Sequence, residues 1–289
     1  MKTGFIGLGA MGAPMAGHLR ARGLLAVVGN RTTAKADAFA AAQEGGVRAA
    51  HSAADFAACD VVALCVSLDA DVLQNVDALA GVLREGAVVV DHSTVSVDTA
   101  RQAQARLAAR GIGFLDAPVS GGVEGARNGK LSVMVGGDDA ALATARPVLE
   151  AYAARITHMG ATGAGQATKA VNQVLVAGIN EAVCEGLALG TKLGLDAERL
   201  LPTLMAGAAG NWFLEKRGAT MLRDEFVPGF KCAHLLKDLR IVQGMAAEAG
   251  VRATVIGQAL ADYGELVRRG LGEADTSALI VLKREAEGK

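Results

Sequence analysis

The sequence predicts an α/β fold with a mostly parallel sheet over residues 1–162, followed by an all-α region over 163–289 joined to it by a long helix. Three observations predict it. Short β-branched runs alternate with alanine-rich helical stretches through the first 160 residues, the pattern of βαβ units. Runs such as Val88-Val89-Val90 are apolar throughout, as in strands covered on both faces. After Gly160 no further strand is legible, and a long apolar helical stretch begins.

The elements follow in order. Residues 2–7, KTGFIG, read as a strand, and Met11 to Arg22 as a helix. Residues 24–29, LLAVVG, are a strand, with Ala34 to Glu44 helical after it. DVVALCV at 60–66 is a strand, followed by a helix from about Asp71. AVVVDHS at 87–93 is the next strand, and Val97 to Arg110 the next helix. IGFLDA and LSVMVGG are further strands, and Asp138 to Ala153 is helical before RITHMG. GATGAG then punctuates the chain, which sets the domain boundary near Gly160 to Gly163. From Ala164 to Leu193 the chain reads as one helix, roughly 45 Å long at 1.5 Å per residue. Such a helix suits either a connection between two lobes or the spine of an all-α domain.

Composition narrows the function. Of 289 residues, 51% are hydrophobic and 20% charged, with a net charge of −1, so no basic excess is available to meet nucleic-acid phosphates. Aromatic residues are 3%, too few to stack single-stranded bases. Cys59, Cys65, Cys184 and Cys232 are scattered without CxxC spacing, which predicts reduced thiols rather than disulfides or zinc. No His/Asp/Glu cluster has metal-ligand spacing, so no metal is expected. The apolar N-terminus is cut by glycines at fixed offsets, unlike a secretory signal, and no run of eighteen apolar residues lacks polar interruption. A cytoplasmic protein without a membrane span is the expectation.

GLGAMG places Gly7, Gly9 and Gly12 in GxGxxG spacing, after a predicted strand and at the opening of a predicted helix. The first glycine permits the tight turn, the second lets the backbone approach a pyrophosphate, and the third allows close helix–strand packing. The helix N-terminus then faces the negative charge, so a dinucleotide cofactor is expected on Gly7, Leu8, Gly9, Ala10, Met11 and Gly12. At the end of the second strand, where NAD sites carry an acidic residue, the chain has Asn30-Arg31-Thr32. An arginine with hydroxyl neighbours suits a 2′-phosphate, so NADP is expected ahead of NAD, with Lys35 adding charge. Farther on, Ser120-Gly121-Gly122 follows a strand and exposes a hydroxyl and two unshielded N–H groups, either a nest for a carboxylate or a structural turn.

Four stretches, GFIGLGAMGAPMAGHL, DAPVSGGVEGARNGKLSVMVGG, GAGQATKAVNQ and HLLKDLRI, occur in order and at fitting separations. On these the chain resembles the β-hydroxyacid dehydrogenase family over essentially its whole length. That family includes 3-hydroxyisobutyrate dehydrogenase, tartronate semialdehyde reductase and the glyoxylate and succinic semialdehyde reductases. The resemblance implies a Rossmann-like dinucleotide-binding domain, an all-helical domain for substrate and dimerisation, and a long inter-domain helix with a catalytic lysine. Carried over residue by residue, Lys169 matches that lysine and Ser120, Gly121 and Gly122 the loop for the substrate carboxylate. Asn172 matches an asparagine that holds substrate, and Lys237 a lysine near cofactor and substrate, with Asp238 supporting it. Thr94 matches a threonine beside the nicotinamide, and Val66 and Ser67 the strand end that lines the cofactor. The chain departs from the more distant 6-phosphogluconate dehydrogenases, which carry asparagine four residues after the lysine; here that position is Gln173. Imine-reducing relatives usually lack the lysine, so Lys169 argues against them.

The implied chemistry is interconversion of a small 3- or 4-hydroxyacid and its semialdehyde. Reduction leaves an alkoxide that needs a proton, which Lys169 is placed to supply and, in oxidation, to remove. A lysine in water, with a pKa of about 10.4, is a weak acid. Partial burial and a second cation such as Lys237 shift it toward neutrality, and a bound carboxylate shifts it back. His92 and His234 are rival acid/base groups, without carboxylate partners at a helpful spacing. Trp212 either faces substrate or packs as a core aromatic. A non-catalytic binding protein and an imine reductase are the competing readings, and a homodimer or homotetramer is expected from the apolar helical region.

Overall fold

The computed structural model describes residues 1–42 and 46–285, and the chain divides into two compact units, Met1–Lys169 and the remainder from Ala170. The first unit begins with β1 (Thr3–Ile6), α1 (Gly12–Ala21), β2 (Leu25–Gly29), α2 (Thr33–Ala41) and β3 (Arg48–Ala49). It continues with β4 (Val61–Leu64), α3 (Asp69–Ala80), β5 (Val88–Asp91), α4 (Val97–Ala108) and β6 (Gly113–Asp116). Then come β7 (Val119–Ser120), α5 (Gly122–Arg127), β8 (Leu131–Gly137), α6 (Asp139–Leu149) and β9 (Ala153–Gly160). The expected helix Ala34 to Glu44 is α2; its last positions, 43 and 44, lie outside the described residues.

The strand order is β3-β2-β1-β4-β5-β6-β8-β7, with β9 on β8. From β3 to β6 all neighbours are parallel, whereas β8 runs antiparallel to β6 and β7. The chain leaves β1 toward β2 and β3 and then returns to β4, so strand order reverses between β1 and β4. In such sheets ligands bind beyond the carboxyl ends of the strands at that point. Side chains alternate between two cores. Phe5, Val28, Ala63 and Val90 face one, with Met15 and Leu19 of α1 and Leu149 at the end of α6. Ile6, Val27, Val62 and Val89 face the other, with Val76 of α3 and Leu107 of α4. This period of two, apolar on both faces, is why the strands read as unbroken hydrophobic runs.

Three features differ from expectation. The two-residue strands β3 and β7 were not legible, being too short to show a period. The helix expected to Ala153 ends at Leu149, because Tyr152 turns into the core and Ala153 pairs with Leu131 of β8. The compact units divide at Lys169 rather than near residue 162, because the first turns of the next helix bond into the sheet unit.

That helix is α7 (Ala164–Lys192). The second unit adds α8 (Ala197–Ala206), α9 (Trp212–Leu222), α10 (Cys232–Glu248), α11 (Thr254–Arg268) and α12 (Leu279–Lys283). Its core gathers Cys184 and Leu187 of α7 with Phe213, Leu235, Leu239, Ile256 and Tyr263. By length and composition α7 is apolar enough to cross a membrane, which the sequence reading did not anticipate. It nonetheless buries Gln166, Lys169, Gln173 and Asn180, polar groups that are costly in hydrocarbon. Cys59, Cys184 and Cys232 are buried free thiols, and burial pushes the Cys59 thiol up to about 11.

Candidate active site

β1 runs straight into the glycine turn. Gly7 has φ +103, and a Cβ there would collide with the Cys65 carbonyl of the strand beside it. A Cβ on Gly12 would collide with the Gly7 carbonyl, so the start of α1 lies against the turn only because Gly12 has no side chain. Gly9 is the opposite case: a Cβ there would meet nothing within 4 Å. The turn therefore leaves open space above an α1 N-terminus whose first turn carries no acidic residue. Leu8 N donates to Asn30 Oδ1 at 2.9 Å, and Asn30 Nδ2 donates to Thr32 O at 3.1 Å, which ties the turn to the end of β2.

A cavity of about 450 Å³ opens here, and Gly7, Gly9, Asn30, Arg31, Thr32, Val66 and Ser67 all line it. Leu8, Ala10, Met11, Gly12 and Thr94 are not among its lining residues. Leu8 and Gly12 are buried beneath the turn, and Ala10 is exposed outside it. His51, Ser52, Asp71 and Asn75 also line the cavity, and sequence reasoning missed them. His51 and Ser52 follow the unrecognised strand β3. Asp71 sits in the first turn of α3, where its Oδ1 lies 3.5 Å from Arg31 Nη1. The residues present fit a dinucleotide, with room above the turn, N–H groups for the pyrophosphate and cationic groups at the end of β2.

The end of β5 and the start of α7 are bonded together. Ser93 Oγ accepts from Val66 N at 3.0 Å, joining the β4 and β5 ends. Gln166 Nε2 donates to Ser93 O at 2.8 Å, and its Oε1 accepts from Val95 N at 3.2 Å. Asp116, which ends β6, accepts from Gly163 N (2.8 Å) and Gln166 N (2.9 Å). Burial pushes its carboxyl up, and those N–H donors act against the rise. Gly165 permits the approach: a Cβ there would sit 2.5 Å from both Asp116 O and Met134 O.

Lys169 is 9% exposed, and its Nζ donates to Val119 O at 2.9 Å. Val119 immediately precedes Ser120, and Gly121 (φ +124) and Gly122 (φ +61) turn the chain in the left-handed region that glycine tolerates. Lys169 and the Ser120-Gly121-Gly122 loop are thus brought together, 50 positions apart in sequence.

In the second unit four side chains form a line. Asn172 Nδ2 donates to Gln173 Oε1 at 2.8 Å, and Gln173 Nε2 to Asp238 Oδ2 at 2.7 Å. Asp238 Oδ1 lies 3.1 Å from Lys237 Nζ. Gln173 and Asp238 are both buried, so at the fourth position after the lysine this chain has an enclosed amide–carboxylate bridge. Trp212 is 48% exposed with the Arg217 guanidinium 5.6 Å from its ring centre, so it is not a core aromatic. His92 is no acid/base. Burial pushes its imidazole down to about 4, and its two nitrogens lie 2.7 Å from Ala117 O and the Tyr152 hydroxyl. The His234 imidazole, on α10, is pushed down by partial desolvation among its neighbours and by the Lys231 charge.

Residues 2–160 match the family model described as the NAD binding domain of 6-phosphogluconate dehydrogenase. Residues 163–282 match that described as NAD-binding of NADP-dependent 3-hydroxyisobutyrate dehydrogenase. The chain belongs to the β-hydroxyacid dehydrogenase family. Like its β-hydroxyacid dehydrogenase relatives it is an NAD(P)-dependent oxidoreductase acting on CH–OH groups. It is 37% identical to the NAD-dependent L-serine dehydrogenase of Pseudomonas aeruginosa, over 99% of this chain and 98% of that one. The solved 3-hydroxyisobutyrate dehydrogenase of Mycobacterium tuberculosis, with L-serine, superposes with a TM-score of 0.88 at 33% identity, covering 98% of this chain and 99% of that one. The 3-hydroxyisobutyrate dehydrogenase of Salmonella typhimurium gives 0.84 at 29% identity, with the same coverage.

Proposed function

We propose that this β-hydroxyacid dehydrogenase interconverts a small carboxylate-bearing 3- or 4-hydroxyacid and its semialdehyde, with Lys169 as general acid and base. The observation that carries the reading is the buried Lys169 amino group, its Nζ held 2.9 Å from the carbonyl that precedes the Ser120-Gly121-Gly122 loop. The Ser120 hydroxyl and the N–H groups of Gly121 and Gly122 bind the substrate carboxylate. Lys169 takes the hydroxyl proton as the substrate is oxidised and returns it to the nascent alkoxide in reduction. NAD(P), when bound, accepts or supplies the hydride. In the second unit, Asn172 and Lys237 bind substrate, with Lys237 near the cofactor as well, and the Gln173–Asp238 bridge sets both side chains. The named relatives favour 3-hydroxyacids within the class, since 3-hydroxyisobutyrate and L-serine both carry a primary alcohol on C3 of a carboxylic acid.

NADP is the proposed cofactor ahead of NAD. Arg31, Thr32 and Lys35 line the cavity, and β2 is followed by Asn30 rather than a carboxylate. A 2′-phosphate would draw Arg31 from Asp71. The enzyme is proposed to be cytoplasmic and a homodimer or homotetramer, the latter supported by apolar side chains left exposed along α7.

The test is a panel of 3-hydroxyisobutyrate, L-serine, glycerate and 4-hydroxybutyrate, with succinic semialdehyde and glyoxylate in the reverse direction. Each is run with both cofactors on wild type, Lys169→Ala and Arg31→Ala. Turnover of at least one substrate is expected, falling about 10²–10⁴-fold in Lys169→Ala. Arg31→Ala is expected to lower NADP efficiency about 10-fold or more while leaving NAD efficiency near wild type. Cofactor binding without turnover of any substrate would favour a non-catalytic role. Cyclic-imine reduction that survives Lys169→Ala would favour an imine reductase.

A further inference from the structure

The loop that carries Thr94 is bonded on both sides of that residue by one side chain, Gln166. Gln166, 2% exposed, lies in the first turn of α7. One of its backbone partners, Ser93 O, can only accept, and the other, Val95 N, can only donate. A single orientation of the amide satisfies both. These partners flank Thr94 on either side. Through the Ser93 hydroxyl the same loop is bonded to Val66, on the cofactor cavity. Gln166 is itself fixed, because its N–H donates to Asp116 Oδ2 at the end of β6. Three residues beyond Asp116 is Val119, whose carbonyl receives Lys169; three residues beyond Gln166 on the same helix is Lys169 itself. The Thr94 loop and, through Ser93, the cavity wall are therefore tied to Gln166, which lies three residues before Lys169 on the same helix.

We propose that Gln166 is a positioning residue for hydride transfer, its amide clamping the Ser93–Val95 loop so that Thr94 and the cofactor ring beside it are registered against Lys169. This rests on the reading of Lys169 and Thr94 given above. The clamp touches neither the carboxylate loop nor the reacting atoms, so its loss falls on turnover rather than on substrate affinity. A misplacement near 1 Å can cost about 10²-fold in rate.

The experiment uses full-length Gln166→Leu and Gln166→Glu. Leucine keeps apolar bulk and removes both bonds. An ionised glutamate still accepts from Val95 N but sets a charge against Ser93 O; a protonated one donates to it again. The charged groups around this position are Asp91 at the end of β5, Asp116 on β6, Asp69 on α3, Arg101 on α4 beside Gly163, and Lys169 on α7. The carboxylates and burial favour the protonated form, and the two cations oppose it.

Gln166→Leu is expected to lower kcat about 10- to 100-fold with KM for the hydroxyacid within about 3-fold of wild type. The deuterium isotope effect on kcat, read with the C3-deuterated hydroxyacid, is expected to rise as hydride transfer becomes limiting. For Gln166→Glu, the ratio of its kcat to that of wild type is expected to rise as pH falls. Wild-type kcat and isotope effect in both variants would overturn the proposal. So would losses that track thermal unfolding alone, with no change in isotope effect and no pH dependence of the ratio. If Gln166→Leu does not fold, the pH-dependent ratio in Gln166→Glu decides. Lys169→Ala separates the two readings. If it is inactive while both Gln166 variants behave as wild type, only the clamp falls; if it retains full turnover, the proton-donor reading falls.

Discussion

The Ala117 carbonyl can only accept, so His92 Nδ1 must carry a proton, and Nε2 then accepts from the Tyr152 hydroxyl. The imidazole is wholly enclosed and neutral, with burial pushing it down to about 4. An unfolded histidine titrates near 6.5. Between these values the unfolded chain binds a proton that the folded chain refuses, so stability rises with pH across that window. The contribution is fully present above about pH 6.5 and is lost as pH falls toward about 4, with an upper bound of order 3 kcal/mol. Urea midpoints from about pH 7 to about pH 4.5 should fall more steeply in wild type than in His92→Gln, which should be less stable at neutral pH. Equal slopes would show that His92 titrates alike in both states. Residues differ in what the sequence discloses. Lys169 was legible because a charge in an apolar helix is costly and so asks for a reason. Gln166 is just as buried, but a neutral amide raises no such question, and its partners lie 71 and 73 positions earlier. Arg31 was legible as a cation at a strand end, whereas its pairing with Asp71 depends on how α3 is placed.

Among the elements, α7 carries both Gln166 and Lys169, and the glycines of the helices divide by what surrounds them. Gly165 lies where the first turn crosses β6 and β8, and a Cβ there would press on two backbone carbonyls that cannot swing aside. Gly165→Ala is expected to cost about 2 kcal/mol or more and to lower turnover, because the same turn aims Lys169. Gly244 in α10 is exposed, and a Cβ there would meet nothing within 4 Å, so Gly244→Ala is expected to gain about 0.5–1 kcal/mol. Chemical denaturation of both variants checks the contrast; equal and opposite signs reversed from these would refute the packing argument. The same physics explains which elements were legible. Strands such as β5, with three successive valines apolar on both faces, declare themselves. The β3 and β7 strands are two residues each and owe their existence to neighbours, and β8 runs antiparallel to both β6 and β7 after the short helix α5. No local pattern records that direction.

For the whole molecule, the second unit leaves an apolar line on α7 that its own helices do not cover. Val171 and Leu175 are each 62% exposed, and Leu189 and Leu193, the latter in the turn that closes α7, are 59% and 66% exposed. Their spacing of four places each pair on one helical face. Single exposed apolar residues are ordinary, but successive ones along one helix form the kind of surface that a second copy covers in a symmetric oligomer. The expected outcome is a mass by light scattering that is a multiple of 29.3 kDa. Replacing Val171 and Leu175 together by Glu should move that mass toward 29.3 kDa while far-ultraviolet circular dichroism stays unchanged, because both side chains point away from the described core. A wild-type protein that remains at 29.3 kDa at high concentration would mean that this face is solvated as it stands, and the double substitution would then change neither mass nor turnover.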